Sequence, residues 1–147
     1  CYYLSMEHTF EQQVFYSDTD AYGVVWHGSY LRWLEMGRVF YCEQLGLDLI
    51  SLKENDIVIP VTNLNVRYKA SAKLNDKLLI KTKVSKITPL SMTFEQTITN
   101  AETNQAYIQA FVDVVAINNS GKLYRRLPDV LKKAFENSIN EENLCNV

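Results

Sequence analysis

Apolar and polar positions along this chain alternate first with a period of two, then three to four, then two again. Over residues 7–16, Phe10, Val14 and Tyr16 fall on one side and Glu11 and Gln13 on the other, which predicts a strand. Residues 28–45 place Tyr30, Trp33, Leu34, Gly37, Phe40, Tyr41 and Leu45 at the spacing of one helix face, with Arg32, Glu35 and Glu43 opposite. Gly46 follows as the stop. A glycine in the middle of that apolar face costs about 1 kcal/mol against alanine. Gly37 therefore predicts close approach of the helix to another part of the backbone.

After a polar link at residues 51–56 the period returns to two. Strands are predicted over residues 63–68, 78–85 and 92–99, each with one wet face that includes Lys81 and Lys83. Residues 106–117 are apolar on both sides and belong inside the sheet. Residues 118–121 form a hairpin turn. Pro128 opens a short closing helix through Val130, Leu131, Ala134 and Phe135, and the polar tail from about Asn137 is expected to be flexible. The order is strand, long helix, four or five antiparallel strands, short helix: an α+β chain of one domain over residues 1–147. A single sheet covers one side of a long helix, and a second copy of the chain is the simplest cover for the other.

Composition narrows the class without naming a function. The 147 residues are 47% hydrophobic and 22% charged, with a net charge of −2, so the balance does not suggest a nucleic-acid partner. No apolar run approaches the roughly 18 residues of a membrane-spanning helix. The first residues carry neither a positive cluster nor a long apolar core, so no signal peptide is expected. Three cysteines (Cys1, Cys42 and Cys145) are odd in number and lack metal-ligand spacing, which suits a reducing, cytoplasmic compartment. Cys42 reads as a packed thiol. His8 reads as a solvated side chain, and Glu35 as a partner for Arg38 or for a second subunit.

The chemistry concentrates where the first strand meets the long helix. Asp18 and Asp20 precede Gly23, and His27-Gly28 open the helix. An ionised aspartate can activate water or attack a reactive acyl carbon directly. It can equally be a turn residue that bonds its own backbone. The first N–H groups of a helix lack internal partners and favour negative charge, so a carbonyl oxygen placed there is stabilised as it becomes an oxyanion. Gly28 would let a substrate approach that backbone closely. His27 can contribute its N–H, its imidazole, or serve as a capping group. On an extended chain Tyr16, Asp18 and Asp20 would project to one side, which would let Tyr16 bond the base or the substrate. Arg67, Lys69, Lys73, Arg125 and Arg126 are candidates for phosphate contacts. The chain has no phosphate-cradling glycine loop, HExxH or CxxC, and no metal site is expected.

The run Tyr16-Ser17-Asp18-Thr19-Asp20-Ala21-Tyr22-Gly23-Val24-Val25-Trp26-His27-Gly28-Ser29-Tyr30 resembles the active-site segment of hotdog-fold acyl-CoA thioesterases. The resemblance is to the 4-hydroxybenzoyl-CoA thioesterase branch, and most of all to the short-chain enzymes associated with the Tol-Pal system. It implies an antiparallel sheet wrapped around one long helix, and homodimers or homotetramers with sites between subunits. It also implies hydrolysis of an acyl-CoA with no cofactor beyond the CoA of the substrate. Carried over by position, the catalytic aspartate is Asp20, the helix-start histidine is His27 and the strand tyrosine is Tyr16; Trp26 and Gly28, within the same run, are the substrate-binding candidates. One departure is the turn Thr88-Pro89-Leu90, which lacks the basic cluster that the hydroxybenzoyl enzymes carry there for CoA phosphates. Two other readings are a hotdog dehydratase, whose histidine–carboxylate pattern the DxDxxGxxxH run does not resemble, and a non-catalytic acyl-binding subunit.

Overall fold

The computed structural model describes residues 7–144, with side chains placed from residue 7 to residue 136. Cys1, Cys145 and the opening stretch read for a targeting signal lie outside these residues. The elements are β1 (Glu7–Gln13), α1 (His27–Gln44), α2 (Leu49–Glu54), β2 (Val61–Tyr68), β3 (Lys77–Ile87), β4 (Ser91–Asn100), β5 (Ala106–Val115) and α3 (Asp129–Leu144). The strands form one antiparallel sheet in the order β1-β3-β4-β5-β2, and α1 lies across β1, β3 and β4. This is the sheet around a long helix that the change of period predicts.

α1 ends as its sequence requires. Gly46 takes the left-handed conformation (φ +82°), its N–H reaches the Glu43 carbonyl at 3.0 Å, and the Leu47 N–H reaches the Cys42 carbonyl at 2.8 Å. These two bonds are the Schellman closure, which a glycine adopts without a Cβ penalty. The buried positions on the helix are Ser29, Tyr30, Trp33, Leu34, Gly37, Tyr41 and Cys42.

Two apolar clusters lie between α1 and the sheet. One gathers Tyr41, Phe94, Leu131 and Phe135, and the other gathers Tyr30, Trp33, Leu34, Ile80, Ile98 and Ile108. Between them sit two fully buried polar residues, Thr82 and Gln96. The Gln96 amide donates to the Leu34 carbonyl at 2.8 Å and to Thr82 Oγ1 at 2.9 Å, and its oxygen accepts from Arg38 at 3.0 Å. With every partner supplied, the buried amide avoids the cost of an unmade hydrogen bond. Gly37 faces this group. A Cβ there would stand 2.5 Å from Thr82 Oγ1, so the close approach is to side chains of the sheet and not to another backbone.

Several expectations are corrected. Residues 51–56 are not simply a link: α2 occupies 49–54, with Asp48 accepting the Ile50 N–H at 3.1 Å as its N-cap. The closing helix α3 is not short, because it continues through Asn137 to Leu144, a stretch without glycine or proline to end it. His8 is not a solvated side chain: its ring packs against Phe10 and Phe40, and its buried Nδ1 has no hydrogen-bond partner among the described residues. Among the described residues Arg38 turns inward to Gln96 and is not within ion-pair distance of Glu35, although the Glu35 charge still acts on it. The strand expected to Tyr16 stops at Gln13, and that change shapes the site.

Candidate active site

Residues 14–26 form a compact loop in place of an extended run. Tyr16–Asp18 is one turn of 3₁₀ helix. Asp18 Oδ2 accepts the Phe15 N–H at 2.9 Å, and the Thr19 hydroxyl donates to the Tyr16 carbonyl at 2.7 Å. Short polar side chains that bond nearby backbone in this way compete with the sheet ladder. The chain then folds back on itself through the bridge Thr19↔Val25, with Gly23 at φ +77° making the turn. The far side of this hairpin is tied to the segment before β3, because the Val25 N–H donates to the Ala72 carbonyl at 2.9 Å and Val24 bridges Lys73.

The two aspartates have different surroundings. Asp18 is 2% exposed, and its carboxylate is taken up by the Phe15 N–H and by Arg32, at 2.5 Å from Nη2. Its carbonyl accepts the Trp26 N–H at 2.8 Å and the Ser29 hydroxyl at 3.3 Å. Asp18 is therefore shielded from solvent with a donor on each carboxylate oxygen. Asp20 is exposed at the hairpin, where Oδ1 accepts the Tyr22 N–H at 2.8 Å and the Val24 N–H at 3.4 Å. Among the described residues Oδ2 has no partner. Asp20 is thus both a turn residue and an accessible carboxylate, so the two readings of the sequence coexist.

At the base of the hairpin the chain enters α1. Among the described residues neither the His27 nor the Gly28 backbone N–H has an acceptor, while the Trp26 and Ser29 N–H groups are used by Asp18 and Trp26. The exposed His27 ring lies 5.1 Å from the Trp26 ring, centroid to centroid. The space that a side chain on Gly28 would take is filled by the Trp26 indole, which is itself 54% exposed. The indole thus lies on the Cβ side of Gly28, while the Gly28 N–H has no acceptor among the described residues. Tyr16 is 82% exposed on the 3₁₀ turn, so the one-sided alignment of Tyr16, Asp18 and Asp20 expected of an extended chain does not form.

Elsewhere on α1, Arg38 borders a cavity of about 280 Å³ walled by Val39, Cys42, Ile59, Phe94, Val114 and Phe135. Burial lowers the Arg38 pKa and pushes the Cys42 thiol up to about 11. This cavity does not touch Asp20 or His27. The Thr88-Pro89 turn lines a separate depression of about 510 Å³ with Arg126 and Lys132, but Asp129 and Glu136 line it too, so its charge is mixed. The candidate cations Arg67, Lys69 and Lys73 are exposed, and only Lys73 is bridged to the hairpin that carries Asp20.

The model of the thioesterase-like superfamily matches residues 14–135, which takes in the hairpin, the helix start and the whole sheet from β2 to β5. The chain belongs to the thioesterase-like superfamily. Within that superfamily it is 33% identical over 124 residues to the acyl-CoA thioester hydrolase YbgC of Escherichia coli, covering 84% of this chain and 92% of the relative. It is 37% identical over 89 residues to the acyl-CoA thioesterase YbgC of Haemophilus influenzae, covering 60% and 65%. Among solved structures, the DHNA-CoA thioesterase of Staphylococcus aureus superposes with a TM-score of 0.85 at 28% identity, covering 96% of both chains. The fold of this superfamily member is the hotdog fold. Arg32 and Ser29 are the site residues that the sequence pattern did not single out. Their one signal is indirect: an aspartate buried beside the helix start needs a cation and donors to match it.

Proposed function

We propose that this thioesterase hydrolyses an acyl-CoA to the carboxylic acid and free CoA, with Asp20 as nucleophile or general base and the start of α1 as the oxyanion site. The observation that carries the reading is an accessible Asp20 carboxylate and, among the described residues, two N–H groups without acceptors, at His27 and Gly28, on one hydrogen-bonded unit. The carboxylate supplies the attack, or takes the proton of the attacking water. The helix start receives the negative charge that develops on the thioester oxygen. Collapse of the tetrahedral species then expels the thiolate, which leaves as free CoA after protonation. His27 acts through its N–H in this scheme, and Trp26 forms the wall beside it. The relatives named acyl-CoA thioesterases supply the substrate class.

The same reading takes the active form to be a homodimer or a homotetramer in the cytoplasm. β2 is an edge strand whose Val61, Leu64 and Tyr68 are exposed, and an uncovered apolar edge favours pairing with another chain. On one chain the Asp20 hairpin also stands open to water, and a second copy would enclose it. Among the described residues no helix is long and apolar enough to cross a membrane.

The test is release of free thiol from a panel of acyl-CoAs spanning short aliphatic to aromatic acyl groups, which also fixes the acyl preference. Asp20→Asn is expected to lower kcat by about a hundredfold or more, the usual scale for an acid–base or nucleophilic group. Full activity in that variant would remove Asp20 from the mechanism.

A further inference from the structure

Resting on the reading that Asp20 and the start of α1 work together, we infer that Asp18, Arg32 and Ser29 are positioning residues that set the distance between them. Asp18 lies two residues before Asp20, and each of its oxygens is tied down. Oδ2 holds the end of the first strand segment through the Phe15 N–H, and Oδ1 holds Arg32 on the second turn of α1. Its carbonyl holds both the Trp26 N–H, at the cap of α1, and the Ser29 hydroxyl on the first turn. One residue therefore bonds the chain just before the reacting carboxylate to three points around the candidate oxyanion site.

The remaining ties of the hairpin lead elsewhere than α1. Asp20 is joined to Val24 and Tyr22, which belong to the same hairpin and move with it. The Val25–Ala72 bond and the Val24–Lys73 bridge anchor the hairpin to the segment before β3, not to α1. Among the described residues Asp18 alone connects this arm of the hairpin to the helix by side-chain charge. Arg32 is mainly exposed, with 58% of its side chain accessible, so its pairing contributes less to folding than a fully buried pair would. Catalysis by oriented groups is sensitive on that scale, since a displacement of about 1 Å can cost on the order of a hundredfold in rate.

The experiment compares Arg32→Met, Arg32→Lys and Ser29→Ala, each in the parent and in the Asp20→Asn background, by steady-state thiol release and circular dichroism. For folded Arg32→Met the expected result is a kcat at least about tenfold lower with KM within about twofold, and recovery of most of that loss in Arg32→Lys. In the Asp20→Asn background the same Arg32→Met change is expected to leave the residual rate unaltered, because the geometry it protects no longer serves a carboxylate. An unchanged kcat in folded Arg32→Met overturns the inference, and so does an equal fractional loss in both backgrounds. If Arg32→Met does not fold, Ser29→Ala decides: a several-fold loss of kcat at constant KM supports positioning, and parental kcat overturns it. Should Asp20→Asn itself retain full activity, the underlying functional reading fails, a result distinct from either of these.

Discussion

The close approach of α1 to the sheet at Gly37 can be tested with one methyl group. Replacing Gly37 by alanine raises helix propensity by about 1 kcal/mol. Against that gain, the new Cβ would stand 2.5 Å from Thr82 Oγ1, 3.0 Å from Gln96 Nε2 and 3.3 Å from Ile80 Cγ2. Ordinary carbon contacts lie at about 3.5–4.0 Å. Thr82 cannot simply rotate away, because it is fully buried and β-branched, and its Oγ1 accepts from Gln96 at 2.9 Å. Gln96 is fixed in turn by the Leu34 carbonyl and by Arg38. Overpacking of this kind costs about 1–3 kcal/mol, and loss of the Gln96–Thr82 bond adds about 1 kcal/mol. Net of propensity, Gly37→Ala should destabilise the fold by about 1–3 kcal/mol. At this chain length that lowers Tm by roughly 3–10 °C.

The assay is urea unfolding followed by circular dichroism at a fixed protein concentration, in the parent and in a Thr82→Ala background. With Thr82 shortened, the nearest obstacle is gone, and the cost of Gly37→Ala should fall by at least about 1 kcal/mol. That difference is the coupling between positions 37 and 82. A Gly37→Ala protein as stable as its parent would refute the close-packing argument. An equal cost in both backgrounds would show that Thr82 is not the contact responsible.

Two further outcomes follow from the core. Cys42 is buried and its thiol pKa is pushed up to about 11, so at pH 8 only about one molecule in a thousand carries the thiolate. Iodoacetamide at pH 8 should leave the Cys42 peptide unmodified in the native protein and label it in urea, as read by mass spectrometry; because the thiol pKa is raised, reactivity should grow as pH rises towards 11. Rapid native labelling at pH 8 would contradict the burial. Leu131, fully buried among the residues around Tyr41 and Phe135, should cost about 2–5 kcal/mol when replaced by alanine in urea unfolding. A loss under 1 kcal/mol would mean that α3 does not close the core.

The fold was readable where one physical signal dominates. Strand alternation in β3 and β4 follows from one face packing on α1 and the other meeting solvent, so Leu78, Ile80 and Met92 could be assigned to the core by counting. The Gly46 stop is equally local. Reading failed where the deciding interaction joins residues far apart in the chain or is a side chain bonding its own backbone. α2 depends on the Asp48 cap, which six residues of mixed polarity do not advertise. For His8, nothing in the neighbouring sequence indicates that Phe40, on another element, lies against it. Gln96 occupies an alternating, core-facing position, but the pattern gave no hint that three partners from α1 and β3 would satisfy it.

The aspartate pair shows both sides of this within three residues. In an extended strand, positions 18 and 20 would share one face and one environment, and spacing alone leaves them equivalent. The 3₁₀ turn breaks that equivalence by sending Asp18 inward while the hairpin carries Asp20 out. Burying an ionised carboxylate is tolerable only with donors for its oxygens and a cation beside it, and Asp18 has the Phe15 N–H and Arg32. Asp20 needs no such set, since water and two backbone N–H groups solvate it. The acid with a donor on each carboxylate oxygen therefore ties the loop together, and the acid that is only partly satisfied is the one left exposed. Because that division depends on Arg32, fourteen positions further along and on a helix face that periodicity assigns to solvent, it becomes visible only when the loop is folded against α1.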